Sequence, residues 1–173
     1  MTQSQQASKG FTLIELMITV AVAAIIAMIG VPSFKSLIDQ NYVTSASNDL
    51  LYHLMLARSE AVKLNTSTII CPLNPQEINC STSIDWSTGW GVFLNNTSSS
   101  QEDNVVRVRH LESEIDIQAS SSSLVLFGPL GNASFMEFQL SRDNAVRYVC
   151  IEVSGRAYVS HQQCAQFSSG GTT

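Results

Sequence analysis

At 173 residues the chain is long enough for one domain with a core of its own and too short for two comfortable ones. Its formal net charge of -5 excludes a strong, sequence-blind attraction to nucleic acid arising from overall charge. The apolar residues are concentrated at one end: positions 11–31 form a run of 21 residues with a single charge, Glu15.

A secretory signal places its small-residue cleavage site after the apolar core. Here the order is reversed, because a polar stretch from Met1 to Lys9 ends at Gly10 and the apolar run begins at Phe11. Cleavage after Gly10 would keep the apolar segment as an anchor. It would also remove Lys9, leaving 8 Lys+Arg against 14 Asp+Glu. A carboxylate inside hydrocarbon costs on the order of 2.5 kcal/mol, so Glu15 needs a partner or a task. The plain alternative is an ordinary signal anchor with an acid tolerated near the headgroups. Pro32 deletes one backbone hydrogen bond and predicts a kink or local melting.

Beyond Pro32, the residues Phe34, Leu37, Ile38, Tyr42, Ala46, Leu50, Leu54, Ala57, Ala61 and Leu64 recur at spacings of three and four. This predicts an amphipathic helix running to about Asn65. Lys35, Asp39, Asn48, Arg58 and Lys63 fall on its other side and read as a solvated face.

After Asn65 the pattern becomes strand-like and rich in Val, Ile, Ser and Thr. Strands are expected at Thr68–Cys71, Gly89–Leu94, Val105–Leu111, Ile115–Ala119, Leu124–Phe127, Phe135–Leu140, Arg147–Val153 and Ala157–Ser160. Ser141-Arg142-Asp143-Asn144 and Ser154-Gly155 suit hairpins, while Asn95–Asn104 and Ser120–Ser123 read as longer loops. The expected class is α+β: a long N-terminal helix with two short antiparallel sheets wrapped on its C-terminal half.

Cys71, Cys80, Cys150 and Cys164 form an even set with no CxxC and no histidine at ligand spacing, so disulfides are a better reading than zinc. Pairing Cys71 with Cys80 would close a short loop and Cys150 with Cys164 would hold the tail. Two other connectivities stay open, and buried free thiols are the plain alternative. Oxidised cysteines would put this part of the chain outside the cytoplasm. His53, His110 and His161 are isolated, and no GxSxG, HExxH or phosphate-loop pattern occurs, so neither an enzyme, a metal site nor a cofactor is expected. Trp86 and Trp90 read as core anchors.

Gly10-Phe11-Thr12-Leu13-Ile14-Glu15-Leu16 resembles the prepilin-peptidase motif of type IV pilins and type II secretion pseudopilins. The resemblance implies cleavage between Gly10 and Phe11, N-methylation of Phe11, and an assembly role for Glu15 beside the terminal amine of a neighbouring subunit. Pro32 also matches a proline common in that family. Ala57-Arg58-Ser59-Glu60-Ala61-Val62-Lys63, Cys71-Pro72 followed by Cys80, Asp85-Trp86, Gly89-Trp90-Gly91-Val92-Phe93 and Val153-Ser154-Gly155-Arg156 resemble the FimT/GspH group of minor pilins and pseudopilins, which includes FimU-like subunits.

That resemblance implies the type IV pilin fold, divided into a leader (1–10), a transmembrane and filament-core helix (11–31), the amphipathic half of the helix (32–65) and a β-rich head (66–173). It further implies a single-pass inner-membrane subunit with a periplasmic head, later incorporated into a filament. Its partners would be prepilin peptidase, the inner-membrane assembly platform and other minor and major pilins. The implied role is a minor pilin of the tip complex that primes pilus assembly. The alternatives are a type II secretion pseudopilin and a DNA receptor at the pilus tip. Relatives that take up DNA carry a Gly-Arg-x-Arg motif, but here the sequence stands as Gly155-Arg156-Ala157-Tyr158 and one arginine is missing. Arg107, Arg109, Arg142, Arg147 and Arg156 are the candidate DNA contacts, opposed by Glu112, Glu114, Asp143 and Glu152 nearby in sequence.

Overall fold

A computed structural model describes residues 11–74, 77–95, 105–111 and 115–165. It divides into two compact units, one ending at Leu37 and one beginning at Ile38.

The first unit is helical from Leu13. Thr12 caps it: the Glu15 backbone N–H donates to Thr12 Oγ1 at 3.3 Å, satisfying one of the orphan donors of the first turn. The most apolar 18-residue window has a mean hydropathy of 2.5 and none of it is buried. Leu13, Ile14, Leu16, Met17 and Ile18 are all exposed. A helix apolar on every side needs an apolar surrounding, and none of the described residues covers it. Pro32 does not melt it: helix α1 is assigned without interruption over Leu13–Leu64.

The second unit holds the rest of α1 and nine strands: β1 (Thr68–Asn74), β2 (Glu77–Cys80), β3 (Gly89–Leu94), β4 (Val105–His110), β5 (Asp116–Ala119), β6 (Val125–Phe127), β7 (Met136–Arg142), β8 (Ala145–Ile151) and β9 (Ala157–Ser160). One antiparallel sheet runs β2-β1-β3-β4, with β6 also paired to β1, and the other runs β5-β7-β8-β9. The segment between β2 and β3 reaches across to the second sheet, where Asp85 bridges Gln118 and the Trp86 N–H donates to the Ile117 carbonyl at 2.8 Å.

The core lies where both sheets meet α1. Val43, Ala46, Leu50, Leu54, Ala57 and Ala61 are buried together with Trp86, Trp90, Phe127, Phe138 and Val149. The alanines admit the sheets close to the helix axis, and the two tryptophans fill the space between, Trp86 edge-on to Phe138 at 4.7 Å between centroids. Phe34, Leu37, Ile38, Tyr42 and Leu64 are exposed, while Val43 and the polar Ser47 and His53 are buried. The buried apolar stripe of the second unit therefore begins at Val43, one turn after the buried Asp39, while Ile38 and Tyr42 stay exposed.

β2 was not among the expected strands. It forms by folding back along β1, pairing Leu73 with Cys80, and a disulfide joins Cys71 to Cys80. A second disulfide joins Cys150 to Cys164. β7 and β8 are also longer towards each other than expected: Arg142 pairs with Ala145, leaving a turn of Asp143 and Asn144 in which Asp143 takes the left-handed conformation (φ 48) that Asp tolerates. The expected loop at 95–104 lies outside the described residues apart from Asn95.

Candidate assembly site

Gly10 lies outside the described residues. On the far side of the expected cut, Phe11 is 78% exposed and precedes the Thr12 cap, with Glu15 in the first turn of α1. Among the described residues no cation pairs with the Glu15 carboxylate. Its neighbours Leu13, Ile14, Leu16 and Met17 present apolar surface all round. The geometry is that of an acid in the first turn of an otherwise apolar helical segment.

In the head, the arginines expected to gather into a basic patch are divided between the two sheets. Arg107 and Arg109 lie on exposed positions of β4, whereas Arg142 and Arg147 belong to the β7–β8 hairpin and Arg156 precedes β9. Two of them have structural work. Arg142 Nε donates to Asp39 Oδ1 at 2.9 Å, and its guanidinium lies 4.4 Å from the Tyr42 ring centroid. Arg109 Nε donates to Asp49 Oδ2. One arginine from each sheet thus grips one carboxylate of α1. Arg147 donates to the Val146 carbonyl, and Arg156 stands 6.0 Å from the Tyr158 centroid.

The solvated-face reading of the helix is overturned at Asp39 and Arg58. Asp39 is only 4% exposed because it receives Arg142; removing that arginine would strand a buried carboxylate. Arg58 donates from Nε to the Gly131 carbonyl at 3.0 Å and from Nη2 to the Ser154 carbonyl at 3.1 Å. It therefore pins two turns from different parts of the sequence onto the helix. Those turns touch: a Cβ on Gly155 would stand 1.8 Å from the Gly131 carbonyl oxygen. Both glycines are left-handed, with φ +77 at Gly131 and +75 at Gly155. Gly155, singled out in sequence as part of a Gly-Arg motif, is there to let two backbones meet under Arg58.

His53 is buried, its Nδ1 2.7 Å from the Asp49 carbonyl oxygen and its ring edge-on to Trp90 at 5.8 Å. Trp86 and Trp90 are fully buried. The Cys150–Cys164 disulfide secures the segment after β9, where the Cys164 N–H also donates to Glu137. These groups hold the head together.

Two family models match the chain. Residues 46–156 match the model described as type II transport protein GspH, and residues 5–31 match the prokaryotic N-terminal methylation motif. No curated protein matches it. Among solved structures it is similar to the type IV minor pilin FimU of Pseudomonas aeruginosa (strain PAO1) in two crystal forms. The first is 19% identical over 72% of this chain and 94% of that one, with a TM-score of 0.59. The second is 20% identical over 70% and 96%, with a TM-score of 0.56. At these identities the likeness is one of fold: a helix packed on antiparallel sheets. The GspH match, by contrast, takes in well over half of the sequence, from the buried stripe of α1 to the Gly155-Arg156 turn, and the chain therefore belongs to the GspH family of type IV pilin-like subunits, which are structural proteins and not enzymes.

Proposed function

We propose that this subunit is a minor pilin that joins the tip complex of a type IV pilus and primes its assembly. The observation that carries the reading is the uncovered apolar helix with Glu15 in its capped first turn. In this reading prepilin peptidase cuts between Gly10 and Phe11, the new terminus is methylated, and the helix holds the subunit in the inner membrane with the head in the periplasm. Residues 1–10 act as the leader, 11–31 as the filament core, 32–65 as the amphipathic half of the helix and 66–173 as the head. Glu15 then attracts the Phe11 amine of an adjacent subunit. In a low-dielectric environment that attraction is strong enough to set axial register. Pro32 marks the end of the embedded stretch.

A second reading, a minor pseudopilin of a type II secretion system, is favoured by the family model that covers the head, since that model is named for type II transport. Both readings use the same parts and differ only in the filament joined. A deletion strain separates them. Loss of surface pili and twitching with normal exoprotein secretion is the outcome expected; retained pili with exoproteins trapped in the periplasm would replace the first reading by the second. DNA binding draws little support from the geometry, because Arg109 and Arg142 face carboxylates and the other three arginines are spread over both sheets.

A further inference from the structure

The last turns of α1 and the β8–β9 turn enclose a groove of 480 Å³. Met55 and Val62 form its apolar part, and both are more than half exposed. Leu130 and Val153, each next to one of the paired glycine turns, are more exposed still, at 91% and 69%. Apolar side chains such as Met55 and Val62, left uncovered in one concavity, mark a surface that meets another molecule.

The groove is also rigid and charged. Its wall is the pair of turns that Arg58 holds through two carbonyl oxygens. Those bonds fix the guanidinium without neutralising it. Lys63 and Arg156 complete the rim, and no carboxylate lines the groove. Outside the lining, Glu60 pairs with the exposed Lys63 at 3.4 Å, and Glu152 accepts from Ser154. Three of the chain's nine Lys and Arg residues thus converge here, on a protein of net charge -5.

We propose that this groove docks an acidic segment of a neighbouring pilin subunit, one that carries an apolar side chain flanked by Asp or Glu. The apolar residue would cover Met55 and Val62, and the carboxylates would meet Arg58, Lys63 and Arg156. A nucleic-acid backbone matches the rim but offers nothing to bury against the floor, so the chemistry favours a protein segment. The inference rests on the filament-subunit reading and adds a specific contact to it.

The test is site-specific photocrosslinking with p-benzoylphenylalanine in the full-length chain expressed in piliated cells. The probe is placed at Val62, at Ile84 as an exposed apolar position away from the groove, and at Leu16 in the apolar helix. The expected result is an adduct from Val62 to another pilin, mapped by mass spectrometry to a peptide containing Asp or Glu, in clear excess over Ile84. Reversing two rim charges together, Lys63→Glu with Arg156→Glu, should lower the Val62 adduct by about tenfold and leave the Leu16 adduct unchanged. Both residues are solvent-exposed, and Arg58 is kept to preserve the turns. A Val62 yield no greater than that of Ile84, insensitivity to the charge reversal, or an adduct to DNA overturns the docking proposal while Leu16 adducts persist. Loss of pilin adducts at Leu16 as well overturns the filament reading and this inference with it.

Discussion

Replacing Glu15 by valine should leave the subunit in the membrane, processed and stable, yet reduce its content in sheared filaments by at least about tenfold. The direction separates two effects that a less specific substitution would confuse. Removing a carboxylate from an apolar segment makes membrane insertion more favourable by roughly 2.5 kcal/mol or more. Any loss of incorporation therefore cannot come from poorer anchoring. Nor can it come from a lost helix cap, because Thr12 Oγ1 accepts from the backbone of residue 15, which the variant retains. What remains is the charge that an incoming subunit would meet. The check is immunoblotting of membrane and sheared-filament fractions in parallel; equal incorporation of variant and wild type would remove Glu15 from the mechanism.

Gly155→Ala should lower the stability of the head by about 3 kcal/mol, or roughly 10 °C in Tm. The left-handed φ of +75 costs an L-residue on the order of 1 kcal/mol. The added methyl would also stand 1.8 Å from the Gly131 carbonyl oxygen, and backbone cannot yield there without moving the turn. That displacement disturbs the two Arg58 hydrogen bonds, each worth about 1 kcal/mol. Gly30→Ala is the control, since a Cβ at that position meets nothing within 4 Å. Thermal melts followed by near-ultraviolet circular dichroism of the full chain in detergent provide the comparison. Equal melting of the two variants would show that the glycine contact is not structural.

These two residues show what the sequence made legible and what it did not. Glu15 was readable because a single charge in a run of 21 apolar residues is anomalous under local rules alone, and the flanking Gly10 and Phe11 give it a motif. The strands were readable for the same local reason, and β3 and β9 have the bounds that periodicity predicts. Gly155 was noticed as part of a motif, but its cause was hidden, because the partner it must avoid, Gly131, is distant in sequence. Asp39 and Arg58 were misread as solvated for a related reason. Helical spacing tells which residues share a face, but not whether an arginine at position 142 or a carbonyl at position 131 will reach that face. β1 runs past its expected end through Pro72, whose missing donor argues against a strand although its carbonyl still accepts from the Ser81 N–H at 2.8 Å. Long-range pairing decided each of these, and long-range pairing is what a one-dimensional pattern contains least of.

If the apolar helix stays on the mature subunit as its anchor and filament core, the mature chain keeps residues 11–31. The most direct measurement is the N-terminal peptide of this chain recovered from sheared filaments, identified by mass spectrometry. The account predicts a peptide beginning at Phe11 and carrying one added methyl on its amine. A terminus downstream of position 31, or one still bearing residues 1–10, would contradict it.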